Sequence, residues 1–125
     1  MLTNSKAFSS FSVNDLQKAK SFYHEILGLE VADNPMGLIE LNIEGGNKVM
    51  VYPKPNHTPA SFTVLNFPVT NIDEAVEKLT QKGVSFEQYT GDIQTDEKGI
   101  SRDANGPKIA WFKDPAGNIL SVIEQ

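Results

Sequence analysis

The chain has 125 residues and no cysteine, which excludes disulfides, zinc–thiolate sites and thiol catalysis. Its net charge is −5 with only 11 lysines and arginines, so we expect no nucleic-acid partner, because binding to phosphate depends on such cations. No apolar run approaches the ~18 residues of a membrane span, and no leader-like apolar segment opens the chain. We therefore expect a cytoplasmic protein without a membrane partner.

The first half of the chain predicts a strand, a helix and three further strands. Residues 7–13 are extended, with Phe11 and Val13 on one face. Asn14 and Asp15 cap a helix that is predicted to end at Gly28. The next strands are predicted at residues 29–33, 37–43 and 47–53, and the proline-rich stretch 53–60 is predicted to be a linker.

The second half predicts the same succession. A strand covers residues 61–69, and Asn71 with Glu74 three residues later is typical of a capping box at a helix start. The helical stripe is predicted to end at Gly83. The remaining strands are predicted at residues 84–89, 107–113 and 118–124, the last two joined by a tight turn with a proline and a glycine.

The two halves can be superimposed in sequence. At a constant offset of 56 residues, one apolar set matches another: Val13, Leu16, Ala19 and Tyr23 match Val69, Ile72, Ala75 and Leu79. The Gly-Asn pairs of the last turns are offset by 71 residues, and the extra length of the second half lies in the polar segment 90–106. Repetition of this kind predicts a duplicated supersecondary unit.

Two segments, FSVNDLQKAKSFYHEILGLEV (11–31) and FKDPAGNIL (112–120), resemble the vicinal oxygen chelate superfamily of glyoxalases, bleomycin-resistance proteins and extradiol dioxygenases. The resemblance implies an α+β fold of two tandem βαβββ modules, whose curved mixed sheets surround a cleft, in a homodimer. We expect one domain over residues 1–125, with module one at about 6–53, a linker at 54–60 and module two at about 61–125.

Enzymes of this superfamily hold a divalent metal through His and Glu side chains on the first and last strands of the modules. The resemblance places these positions five residues before the valines that end the first strands, and four residues after the turn glycines. Here they are occupied by Phe8, Val64, Met50 and Ser121. Phe and Val donate nothing, and a thioether or a neutral hydroxyl is a poor ligand for a hard divalent ion. We therefore expect no metal and no cofactor.

Side chains alternate along a strand, so one face of each sheet is expected to pack on its helix and the other to line the cleft. This phase predicts an aromatic and apolar ligand-binding set with a few polar members: Phe8, Ser10, Glu40, Met50, Tyr52, Phe62, Val64, Asn66, Trp111 and Ser121. Such a mixture suits a small-molecule pocket. The alternative for each aromatic residue is packing in the core or in a dimer interface.

Three polar features are functional candidates, and two of them have a structural alternative. Glu40 is the candidate catalytic residue, but an ion pair with Lys48 or Lys113 is the structural alternative. His57 is a linker residue that could titrate at the mouth of the cleft. The segment 90–106 is either a lid over the cleft, or a surface loop or dimer-exchange arm.

These observations favour a metal-independent protein that sequesters a hydrophobic or aromatic small molecule in the cleft. The alternative is a glyoxalase-like lyase or isomerase with a divergent active site, using Glu40, Tyr52 or His57 for acid–base chemistry. A third hypothesis is a dimeric interaction module with a collapsed cleft. The binding protein ranks first, so enzymatic activity is not the leading expectation.

Overall fold

The computed structural model describes all residues, Met1–Gln125. They form two compact units, unit one at Met1–Pro59 and unit two at Ala60–Gln125. Each unit has a four-stranded mixed sheet and one principal helix, so the fold is α+β and consists of two tandem modules. The predicted fold class is confirmed. No helix has the length and apolar character that a membrane span needs.

Unit one follows the predicted succession of elements. After a short 3-10 helix at Leu2–Asn4 come β1 (Ser9–Val13), α1 (Leu16–Ser21), a π-helical turn (Phe22–Ile26), β2 (Glu30–Asn34), β3 (Leu38–Asn42) and β4 (Val49–Pro53). The strand order is β1-β4-β3-β2. The first strand runs parallel to β4, and the other neighbours are antiparallel.

Unit two repeats this arrangement. Its elements are β5 (Thr63–Val69), α2 (Ile72–Gln81), β6 (Ile100–Ser101), β7 (Ile109–Lys113) and β8 (Ile119–Glu124). The strand order is β5-β8-β7-β6, with β5 parallel to β8 and the other pairs antiparallel. Because the two sheets share one topology, the structure confirms the internal repeat.

The two helices begin in the same way. The Asp15 carboxylate accepts a hydrogen bond from the Lys18 backbone N–H at 3.1 Å, and the Asn71 side chain accepts one from the Glu74 N–H at 3.0 Å. Both capping residues have a φ of −138°. A capping side chain satisfies one backbone donor that the first helical turn leaves without a partner, which fixes where each helix starts.

In each unit, the helix covers one face of the sheet. Phe11 and Val13 are buried on this face of unit one, where the Phe11 and Tyr23 ring centroids lie 6.0 Å apart. In unit two, the Glu124 carboxylate accepts a hydrogen bond from the first N–H of α2, from Ile72, at 3.0 Å. The residues of β8 that share this face, Leu120 and Val122, are buried. The opposite side of each sheet is called the distal face below.

The predicted sixth strand at residues 84–89 is wrong. In that stretch Phe86 forms an isolated bridge opposite Phe112, and the Glu87 N–H donates to the Trp111 carbonyl at 2.8 Å; the chain then leaves the sheet. It returns at Ile100 as β6, which pairs with β7. The edge strand of unit one, β2, is continuous. In unit two, the extra length of the segment 90–106 divides the corresponding edge strand into two short pieces.

Candidate functional site

The distal face of unit one carries a row of three side chains. The strand register places Ser10, Met50 and Glu40 beside one another on β1, β4 and β3. Both carboxylate oxygens of Glu40 are engaged, one by Lys48 Nζ at 3.1 Å and the other by Asn34 Nδ2 at 2.8 Å. The hydrogen bond from Asn34, followed by that from Lys48, lowers the pKa of Glu40 from its ordinary value of 4.5. The carboxylate is therefore held ionised, as in a structural ion pair.

A second polar pair lies on the same face. Ser12 Oγ and His57 Nδ1 are 2.6 Å apart, and Tyr52 pairs in register with Ser12 across β1 and β4. His57 follows β4, and its backbone N–H donates to the Lys54 carbonyl at 3.0 Å, in a turn that brings the imidazole back to the sheet. The histidine of the predicted linker thus belongs to the distal face of unit one.

Unit two carries the corresponding row on its own distal face. Asn66, Ser121 and Trp111 lie beside one another on β5, β8 and β7. Ser121 is fully buried, and its hydroxyl donates to Asn66 Oδ1 at 2.5 Å. At the sequence offsets of the repeat, Asn66 corresponds to Ser10 of unit one. The two rows are structurally equivalent but chemically different.

The strand β5 contains an irregularity next to this row. The register of β5 with β8 shifts between Thr63 and Leu65, so Val64 lies in a bulge. Phe62 lies just before the strand, and 68% of it is exposed. A bulge adds one residue to one strand and interrupts the alternation of side chains. The predicted phase from Phe62 to Asn66 is therefore not continuous along β5.

Aromatic surface is exposed in both units. In unit one, Phe8 precedes β1 and is 60% exposed, and Tyr52 on β4 is 38% exposed. With Phe62 in unit two, these are three of the aromatic residues that the sequence predicted to bind a ligand. A contiguous apolar patch marks a binding surface, whereas single exposed apolar side chains are ordinary. Whether they contact a ligand remains a prediction.

Unit two contains an open cavity of about 660 Å³. It lies between β7, which contributes Ile109 and Trp111, and the segment 91–107, which contributes Ile93, Asp96 and Arg102 among others. The Trp111 ring meets the Tyr89 ring edge-on, with centroids 5.6 Å apart and planes at 75°. This contact holds the indole in a defined orientation at the wall of the cavity.

The segment that walls the cavity is tied to the start of α2. Arg102 Nε donates to Asp96 Oδ2 at 2.9 Å, and Arg102 Nη2 donates to Asp73 Oδ1 at 2.5 Å. Lys98 Nζ lies 3.7 Å from the same Asp73 oxygen. The hydrogen bonds of Asp73 and Asp96 raise the pKa of Arg102, whereas the bond from Arg102 lowers the pKa of Asp73. Ionised partners thus hold the segment in place.

The residues at the four positions where the resemblance implies metal ligands do not fit a divalent cation. Phe8 and Val64 have hydrocarbon side chains, and Met50 offers only a thioether. The hydroxyl of Ser121 already donates to Asn66. Nowhere in the chain do three or more His, Cys, Asp or Glu side chains form a group that could hold a metal ion.

Comparison with protein families gives a match over nearly the whole chain. The family model described as Glyoxalase/Bleomycin resistance protein/Dioxygenase superfamily matches residues 8–122. Comparison with curated proteins gives no match.

Several solved structures share the fold. A member of that superfamily from Sphaerobacter thermophilus DSM 20745 is 24% identical over 100% of both chains, with a TM-score of 0.75. TnmS3, an antibiotic binding protein from Streptomyces sp. CB03234, is 23% identical over 98% of both chains, with a TM-score of 0.70. A lactoylglutathione lyase from Agrobacterium tumefaciens is 20% identical, covers 97% of this chain and 93% of its own, and has a TM-score of 0.69.

Proposed function

The chain belongs to the Glyoxalase/Bleomycin resistance protein/Dioxygenase superfamily, and from this premise we propose that it is a metal-independent small-molecule-binding protein. In this proposal it sequesters a hydrophobic or aromatic ligand and leaves it chemically unchanged. The two units act as the modules of one domain, and the protein works as a cytoplasmic homodimer, as expected from the sequence.

The observation that carries the proposal is the cavity in unit two. Its volume of about 660 Å³ lies within the range of roughly 300–1,000 Å³ that is usual for small-molecule sites. The wall combines apolar side chains, Trp111 and Ile109, with polar groups of the segment 91–107. Half of the lining residues are polar or charged, among them Asp92, Asp96, Arg102 and Asp103. In a binding pocket, apolar area supplies affinity and polar groups supply orientation.

The side chains at the metal-ligand positions support a function without a metal. The superfamily enzymes depend on the cation as a Lewis acid or redox centre. Phe8, Val64 and Met50 provide neither carboxylate nor imidazole, and the hydroxyl of Ser121 is committed to Asn66. Binding without chemistry needs none of these ligands, and the fold of the antibiotic binding protein TnmS3 is similar to that of this chain.

A glyoxalase-like lyase or isomerase is the second candidate, because the fold also resembles that of the Agrobacterium tumefaciens lactoylglutathione lyase. Its acid–base residue would have to be Glu40, Tyr52 or His57. The lowered pKa of Glu40 and its contacts with Asn34 and Lys48 make this carboxylate a weaker base than a free one. This favours the binding protein.

A thermal-shift experiment tests the proposal. The purified protein is heated with a panel of flat aromatic molecules and, separately, with nickel, zinc or manganese chloride. A ligand that binds only the folded state raises the midpoint of unfolding. We expect aromatic molecules to raise it and the metals to leave it unchanged.

Elemental analysis and an assay of methylglyoxal–glutathione turnover separate the two candidates. Stabilisation by a metal at low micromolar concentration, a stoichiometric metal, or turnover would contradict the proposal and favour the enzyme.

A further inference from the structure

We infer that Asn66 determines ligand specificity in unit two by donating a hydrogen bond from its side-chain amide to a carbonyl oxygen on a flat aromatic ligand that packs against Trp111. This inference rests on the proposed function, and it adds the chemical class of the ligand. Four features of unit two and its counterpart lead to it.

The first feature is the orientation of the Asn66 amide. Ser121 is fully buried, and its hydroxyl must donate its hydrogen to an acceptor inside the protein. The acceptor is Asn66 Oδ1, at 2.5 Å. If the amide were reversed, its NH₂ group would face the hydroxyl, and the Ser121 hydrogen would lose this acceptor. Leaving a buried polar group without a partner costs about 1–3 kcal/mol, so Ser121 fixes which end of the amide faces it.

The second feature is the free end of that amide. Asn66 is an exposed residue, and the structure gives its Nδ2 no partner within the protein. An amide nitrogen carries two N–H donors and no acceptor. A donor held in one orientation recognises an acceptor such as a carbonyl oxygen, whereas an ammonium or guanidinium group would meet another donor at the Nδ2 end.

The third feature is the position of Trp111. Ser121 pairs with Asn66 on one side and with Trp111 on the other, so the amide and the indole stand in one row on one face. Neighbouring strands are about 4.8 Å apart, which separates the two backbones by roughly 10 Å before the side chains extend inward. Asn66 does not line the cavity itself, so a ligand of two or three fused rings would lie against the indole and extend beyond the cavity along this row to place an edge oxygen near Asn66.

The fourth feature is the contrast with unit one. The equivalent row there is Ser10, Met50 and Glu40, and both oxygens of Glu40 are held by Asn34 and Lys48. This row contains no aromatic ring, and the Asn34 amide beside it already donates to Glu40. We therefore assign recognition of a flat carbonyl compound to unit two.

The test uses two probes and two resonances. Coumarin is a flat bicycle with a carbonyl, and naphthalene is a flat bicycle of the same ring size without one. Trp111 is the only tryptophan, so the ¹⁵N-labelled full chain has a single indole N–H resonance that reports binding of either probe. We expect both probes to shift it, only coumarin to shift the Asn66 amide pair, and coumarin to bind about fivefold more tightly, as one net hydrogen bond allows.

Two variants isolate the hydrogen bond. Asn66→Asp keeps the size of the side chain and an acceptor for Ser121 but removes the donor. It is expected to weaken coumarin about tenfold, because the donor is lost and a carboxylate oxygen then faces the carbonyl oxygen, and to leave naphthalene within about twofold. Ser121→Ala releases the amide, so the ratio of coumarin to naphthalene affinity should fall, whereas a merely structural role would weaken both probes equally. Asn71→Asp makes the same change at the start of α2, where Asp also caps a helix, and should leave the ratio unchanged.

The outcomes separate the inference from the proposed function. If both probes bind and neither Asn66→Asp nor Ser121→Ala changes their affinity ratio, the role of Asn66 is wrong and the binding function stands. If neither probe shifts the Trp111 resonance, the inference is also wrong, and the thermal-shift screen decides separately whether the protein binds aromatic molecules at all.

Discussion

The two units of this protein have the same sheet topology and the same helix start, but their distal faces are equipped differently. Unit one presents an ion pair between Glu40 and Lys48 and a Ser12–His57 hydrogen bond. Unit two presents an oriented amide at Asn66 and a cavity walled by Trp111. In unit one the polar groups of the row contact one another, whereas in unit two Ser121 orients the Asn66 amide; exposed aromatic side chains occur in both units.

This difference shows which residues define the fold and which define the site. The positions that face the helices keep their apolar character in both units: Val13 and Val69 end the first strands, and Ala19 and Ala75 lie on the helices. The distal positions contribute little to the contact between helix and sheet, so the repeat can preserve its topology while these residues change. The same backbone can therefore carry two chemically different distal faces.

The largest expected effect concerns the excursion that only unit two contains. Gly99 has a φ of +87°, and a Cβ placed there would lie 2.7 Å from the Phe86 Cβ. Gly99→Ala combines an unfavourable backbone conformation with overpacking, so we expect a loss of about 3 kcal/mol in the free energy of unfolding. Chemical denaturation measures it.

Gly106→Ala is the matched control, because a Cβ at Gly106 meets nothing within 4 Å. Its free energy of unfolding should stay within about 0.5 kcal/mol of that of the original protein. An equally small change for Gly99→Ala would show that the excursion is not anchored at this glycine.

The second prediction tests which distal face holds the ligand. Trp111→Ala removes the aromatic wall of the cavity and should weaken coumarin tenfold or more, roughly the effect of losing a buried aromatic contact. Tyr52→Ala, on the face of unit one, should weaken it less. Isothermal titration calorimetry measures both, because Trp111→Ala removes the indole N–H resonance that otherwise reports binding. Equal losses would mean that the two faces contribute equally, contrary to the assignment to unit two.

The sequence predicts the fold because helix-facing residues recur with the periods of strands and helices. The strands of unit one, both capping residues and the repeat could be read from these patterns. The strand β6 could not, because the two residues Ile100 and Ser101 are too short a stretch to show alternation. The bulge at Val64 carries no glycine or other local signal.

The candidate site was less predictable, because its contacts depend on register. The bond between Asn66 and Ser121 joins residues 55 positions apart, and that between Ser12 and His57 joins residues 45 apart. Alternation can place each residue on a face, but only strand pairing decides which side chains meet. Lys48 was one of two predicted partners of Glu40, and the structure pairs them. The other, Lys113, instead pairs with Glu87 at 3.2 Å.

The third prediction concerns the tie between the segment 91–107 and α2. Arg102→Gln removes the charge that Asp73 and Asp96 share, so the segment should open more often. We expect faster amide hydrogen exchange within the segment in Arg102→Gln than in the original protein. In the original protein, high salt should also speed exchange there, because salt screens exposed ion pairs. Lys78→Gln breaks the Glu74–Lys78 pair on α2 instead and should leave exchange in the segment unchanged. Equal exchange rates in all variants would show that Arg102 does not hold it.

The smallest expected effect is a pH dependence that belongs to unit one. The pKa of Glu40 is lowered in the folded protein by Asn34 and Lys48, so the unfolded chain binds a proton at this carboxyl more readily. The stabilisation is therefore present above the ordinary value of 4.5 and is lost as the pH falls toward the folded-state pKa. Glu40→Gln should make the free energy of unfolding fall less steeply between about pH 5 and pH 3, which denaturation at each pH measures. Glu44→Gln is the control, because Glu44 is an exposed turn residue outside the ion pairs, and it should retain the original dependence of the unfolding free energy on pH. If Glu40→Gln retains this dependence as well, the ion pair makes no measurable contribution. The distal face of unit one would then be less firmly held than its contacts indicate.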